Sequence, residues 1–141
     1  MKSYLPGIDY AWLAVDRADH VALCFTGGAG PFPGSAIDLA PADDAQELVE
    51  QLAPSSGVIA HITYPGMDDF VLAASRGLYV FDWTDVHRSE AKYIGMYELV
   101  VEPVQPLKVH QLPTRLQVLA RFAALNGVSF SSCTGRRFKI E

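Results

Sequence analysis

Residues 10–26 read YAWLAVDRADHVALCFT, and this stretch decides the fold. Residues 10–15 and 20–26 are both rich in side chains that suit a pleated, half-buried surface. The compact polar DRAD between them is a turn, so the whole stretch predicts a β-hairpin. In its second strand Val21, Leu23 and Phe25 share one face. Ala22 and Cys24 share the other and are also apolar enough to bury.

Outward from the hairpin, GGAGPFPG at residues 27–34 is a loop. Over residues 41–53 the period turns helical. Ala45, Leu48, Val49 and Leu52 fall on one face, with Asp43, Asp44, Glu47 and Glu50 outside it. Pro54 ends this helix, and GVIAHITY at residues 57–64 reads as a short buried strand. MDDFVLAAS, residues 67–75, is a second helix that stops at Gly77. LYVFDW, residues 78–83, is apolar on both faces, as a central strand is. Residues 97–102 alternate, with Tyr97, Leu99 and Val101 inward and Glu98 and Glu102 outward. LKVHQL, residues 107–112, follows two prolines and suggests an edge strand or extended segment. Pro113 opens a third helix over residues 114–125, closed by Asn126-Gly127. VSFSSC is the last strand, and Arg136, Arg137 and Lys139 form a basic tail. The expected class is α+β: a mainly antiparallel sheet with about three helices packed on one face.

The chain has 141 residues, half of them hydrophobic, which suits one domain spanning residues 1–141. No window approaches the roughly 20 apolar residues of a membrane-spanning helix. Asp9, Asp16 and Asp19 fall where a signal peptide would need an apolar run. A cytoplasmic protein without membrane association is expected. The formal charge of −5 is unevenly spread: residues 1–70 hold two bases and ten acids, residues 71–141 nine bases and six acids. Such a balance argues against nucleic acid as a partner and is compatible with a basic protein. Cys24 and Cys133 lack the paired short spacing of a zinc site, and buried free thiols are the default. A disulfide between them stays open.

Chemical motifs fail on inspection. Gly28-Ala29-Gly30 begins like a dinucleotide fingerprint, but Pro33 stands in place of the third glycine. Pro31 and Pro33 also lack the N–H groups a phosphate cradle needs. The loop reads better as a stiff turn that holds Phe32, either tucked onto the core or offered to a partner. His20, His61, His87 and His110 show no metal-binding spacing, so neither metal nor cofactor is expected. Ser129, Ser131, Ser132 and Cys133 lie in an alternating run without the context of a nucleophile. Asp43-Asp44 and Asp68-Asp69 both open helices, where they complement the dipole.

The opening at residues 10–33, together with GLYVFDW at residues 77–83, is similar to small bacterial α+β proteins. These resemble immunity proteins of bacterial toxin systems, which neutralise a cognate toxin by binding it. The resemblance implies a non-catalytic inhibitor with a protein partner and carries no functional residue across. From the residues themselves, Asp38, Asp43, Asp44, Glu47 and Glu50 form a candidate acidic patch, with Phe32 as aromatic anchor. The alternative is a small enzyme or ligand-binding domain with a polar site at Asp82, Asp85 and His87, and Arg88 or Arg76 to hold an anion. A homodimer formed through a sheet edge or aromatic face is the third reading.

Overall fold

The computed structural model describes residues 10–27, 30–31, 43–62, 66–83, 95–131 and 137–140. Within them the opening hairpin forms as its pattern dictates. Strands β1 (Ala11–Asp16) and β2 (Val21–Phe25) pair antiparallel, with Leu13 opposite Leu23. Asp19 takes the left-handed conformation at φ 66° that closes the turn, one that aspartate tolerates better than most residues. Every residue of both strands is buried, because the sheet is covered on both faces.

The remaining elements are α1 (Asp43–Glu50), β3 (Val58–Ala60), α2 (Asp68–Ala74), β4 (Tyr79–Trp83), β5 (Tyr97–Pro103), α3 (Thr114–Arg121), β6 (Ala124–Leu125) and β7 (Arg137–Phe138). The strand order is β3-β5-β4-β2-β1-β6, with β7 also paired to β5. The class is α+β, but the sheet is mixed rather than mainly antiparallel. β2 runs parallel to β4, and β1 parallel to β6. The cause is the connection. Parallel neighbours need a long crossover, and α1, β3 and α2 all lie between β2 and β4.

The helices touch in the order α2, α1, α3, and the ring of Phe70 on α2 meets Phe25 at 4.7 Å. Alternation turns Cys24 to the other face, level with Phe81. There Phe130 and Phe138 cover the sheet, 5.2 and 4.9 Å from the Phe81 ring. Two glycines are fixed by their neighbours. Gly77 sits at φ +95°, and a Cβ there would lie 2.7 Å from Leu107 Cγ. A Cβ on Gly30 would lie 2.6 Å from Tyr97 Oη and 3.0 Å from Trp83 Cγ.

Several expectations are corrected. β3 is an exposed edge strand instead of a buried one, with Ile59 48% exposed, since only β5 pairs with it. Residues 107–112 form one bridge, Lys108 to His20, and then a 3-10 turn, Val109–Gln111. The Gln111 side chain accepts the Lys108 N–H at 2.7 Å and so favours the turn over a strand. The third helix ends at Arg121, because Ala124 and Leu125 leave it to pair with β1. Residues 128–131 are not a strand: Phe130 plugs the aromatic face, and its N–H goes to the Asp16 carboxylate at 2.8 Å. The last strand is instead β7, within the basic tail. Glu98, expected to face outward, is 7% exposed, because β7 lies against it.

Candidate functional site

One side of β5 is shared by two short strands placed end to end. β3 pairs with residues 101–103 of β5, and β7 pairs with Tyr97 and Glu98. Between them the chain leaving β3 bends away, held by the N–H groups of His61 and Ile62 on the Val100 carbonyl at 2.8 and 3.4 Å. The result is a notch of about 150 Å³, lined among the described residues by His61, Ile62, Glu98, Leu99 and Arg137.

The charged walls are paired. Arg137 Nε donates to Glu98 Oε2 at 2.9 Å, and His61 Nε2 lies 2.6 Å from Glu102 Oε1. A register shift separates the two glutamates. Phe81 lies opposite Leu99 while Val80 lies opposite Val101, so Val100 is an extra residue. This resets the alternation. Glu98 is level with Asp82, whereas Val101 rather than Val100 takes the place opposite Val80, so Glu98 and Glu102 no longer share a face. The arrangement joins a fixed cation, a carboxylate and a histidine–carboxylate pair around one small volume. That combination suits binding of a small polar molecule or proton exchange with it. The sequence pattern put His61 in a strand without metal-binding spacing and turned both glutamates outward. The available signal was two acids four residues apart inside an apolar strand.

A second polar centre lies across the sheet. Asp16 is 3% exposed, and its Oδ1 accepts the N–H groups of Ala18 and His20, both at 2.9 Å. Its Oδ2 accepts the N–H of Phe130. Lys108 Nζ donates to the Ala18 carbonyl at 2.6 Å. The His20 Nδ1 stands 3.7 Å from Asp16 Oδ2, too far for a hydrogen bond, and has no partner among the described residues. Burial holds the His20 pKa below its ordinary value and Lys108 pushes the same way, against the opposing pull of Asp16 and Asp19. This centre ties the hairpin turn to the C-terminal segment and is architectural.

The residues singled out from sequence are dispersed. Glu47 is exposed, and Glu50 is half-buried, accepting from Gln46 Nε2 at 3.0 Å. Asp38, Phe32 and the side chains of Asp43 and Asp44 lie outside the described residues, as do Asp85, His87 and Arg88. Asp82 is buried, and its Oδ1 accepts the N–H of Trp83 at 3.0 Å. Arg76 is turned to main chain, donating to the carbonyls of Leu52, Glu50 and Leu72. Gly30 and Pro31 pack against β4 and β5: Trp12 Nε1 donates to Tyr97 Oη, which donates to the Pro31 carbonyl. Gly30 therefore serves close packing. Cys24 is a buried free thiol whose pKa burial pushes well up, which makes it unreactive, while Cys133 lies outside the described residues. Tyr79 is pushed up to about 12, chiefly by burial.

Among the described residues no group of three or more His, Cys, Asp or Glu side chains is placed to hold a metal, and no helix is long and apolar enough to cross a membrane. The chain matches no protein-family model, no curated protein and no solved structure.

Proposed function

We propose that this chain is a non-catalytic binding protein of the immunity type, acting in the bacterial cytoplasm on a basic toxin. The observation that carries this reading is the polarity of the helical layer. α1 buries Ala45 and Val49 and leaves Glu47 exposed, and its neighbour α2 exposes Asp68 and Asp69 in its first turn. The one base on this pair of helices and the turn that follows, Arg76, is spent on backbone carbonyls. The exposed bases Arg115 and Arg121 lie on α3 instead. An acidic face of this kind speeds encounter with a cationic surface and repels wrong partners. Asp38, Asp43 and Asp44 would extend it, and Phe32 would supply an apolar anchor. The bland alternative is that Asp68 and Asp69 only complement their helix dipole.

Growth rescue and co-purification with the product of the neighbouring gene separate the two. The expected outcome is a complex whose association rate falls with added salt. A Glu47→Lys, Asp69→Lys double variant should slow association by about tenfold or more at low salt. Its stability should change by no more than about 1 kcal/mol. A neighbouring product that is neither bound nor neutralised, or a double variant that protects as well as the parent, overturns the proposal.

A further inference from the structure

Sheet register leaves β3 with half of its main-chain hydrogen-bonding groups unused. β3 ends the strand order, and β5 is its one strand partner among the described residues. The Val104 N–H donates to the Gly57 carbonyl at 2.9 Å, and the His61 N–H to the Val100 carbonyl at 2.8 Å. By the alternation of an antiparallel ladder, residues 57, 59 and 61 therefore turn their main-chain groups toward β5. Pro103, which has no N–H, stands opposite Val58, as this phase allows. Val58 and Ala60 turn theirs to the open edge, where they bond to no described residue. Residues 57–60 carry neither charge nor proline, the usual bars to pairing at an edge. Ile59, 48% exposed, and Val104, 58% exposed, stand beside it as large apolar side chains.

These open groups are self-complementary. We propose that β3 pairs antiparallel with β3 of a second copy of this chain, about a two-fold axis at Ile59. Val58 then faces the partner's Ala60, and Ala60 faces the partner's Val58. Each pair exchanges two N–H···O bonds, so the edge gains four. Ile59 meets the partner's Ile59 as a non-hydrogen-bonded pair, with Cα atoms about 4.5 Å apart and side chains in contact. Register selects this axis. A two-fold at Val58 would need the Ser56 N–H, which already donates to the Ser75 carbonyl at 3.0 Å. One at Ala60 would need the Ile62 N–H, which is turned inward to the Val100 carbonyl. A second copy thus supplies the strand, the spacing and a matching apolar side chain at once. The contact is small, so the dimer is weak. It uses no residue of the acidic helices and does not rest on the toxin reading.

Sedimentation of the full chain from about 10 µM to about 1 mM tests the pairing, since small interfaces associate in that range. The mass should rise from monomer toward dimer. Hydrogen exchange of the Val58 and Ala60 amides should slow with concentration, while that of Ile59, already bonded to β5, stays unchanged. Added salt should strengthen the association, because both copies carry a net charge of −5. Ile59→Lys sets two ammonium groups against each other across the axis and should weaken the dimer by about tenfold or more. Ala60→Pro removes one outward donor per copy without touching the bonds to β5, and should weaken it comparably in a folded protein. The proposal falls if the chain stays monomeric throughout, or if both variants associate as the parent does. It also falls if the newly protected amides lie elsewhere, or if salt disperses the dimer, the signature of α3 bases meeting α2 acids.

Discussion

Asp16 and Glu98 are both carboxylates buried in strands of one sheet, 3% and 7% exposed, yet they are held by different kinds of partner. Asp16 accepts three backbone N–H groups, from Ala18, His20 and Phe130. Glu98 pairs with a side chain, Arg137, at the rim of a cavity. The difference separates a carboxylate fixed by main chain from one in contact with a half-exposed side chain. A carboxylate bound by main chain cannot change partner without unfolding the segments that supply the donors. One bound by a side chain can share that partner with a ligand at little structural cost.

The largest effect should come from breaking the first arrangement. Asp16→Ala removes the acceptor of three N–H groups, two part-buried in the hairpin turn and one buried in the segment that carries Phe130. An orphaned donor costs roughly 1–3 kcal/mol, the two part-buried ones at the low end because water reaches them, so a loss of about 3–5 kcal/mol is expected in urea unfolding. No second substitution should restore it, because the donors belong to the backbone. A loss below about 1 kcal/mol would show that water replaces the carboxylate and that the centre does not organise the fold.

An intermediate effect is expected at the notch. Arg137→Gln removes the partner of a buried carboxylate, but the Arg137 side chain is 35% exposed, so solvent screens the loss. About 1–2 kcal/mol is expected, below the 3–5 of a fully buried pair. Here a second change should help. Glu98→Gln placed on Arg137→Gln removes the carboxylate charge that has lost its Arg137 contact, so the double variant should be more stable than the sum of the single losses predicts. Strict additivity would mean that the two side chains do not act as a pair, and the contrast with Asp16 would lose its basis.

Local pattern was enough for the hairpin, the second helix and β4, because each is specified by its own alternation or period. It failed where a distant segment supplied the deciding bond. Ala124 and Leu125 continue the helical period of α3, yet β1 offers an open edge that draws them into a strand. Phe130 sits in a β-like run but finds an acceptor in Asp16, 114 residues earlier. Glu98 looks solvated until β7, 39 residues later, lies against it. The notch was illegible for the same reason: it needs β3, the extra residue Val100 and β7 to meet on one edge. The helical acids were legible, since amphipathic period alone leaves Glu47 outside the core.

The smallest effect concerns His20 and asks whether Asp16 has any charge left to share. Beside the ring stand Asp16, Asp19 and Lys108, and the Tyr79 ring lies 5.7 Å away. Burial is the leading influence, and it keeps the folded pKa below the ordinary 6.5. In the unfolded chain the imidazole takes up a proton at about its ordinary pH of 6.5. Between that pH and the lowered folded pKa the unfolded state binds more protons, so stability must fall as the pH drops. Above the window the imidazole is neutral in both states and contributes no slope. Urea midpoints measured from about pH 7.5 to 5 should therefore decline on the acid side, and His20→Asn should flatten that decline. The opposite sign, with stability rising as the histidine protonates, would mean that Asp16 stabilises the imidazolium across the 3.7 Å gap. In that case its carboxylate would not be spent on main chain, and the line drawn between the two buried carboxylates would have to move.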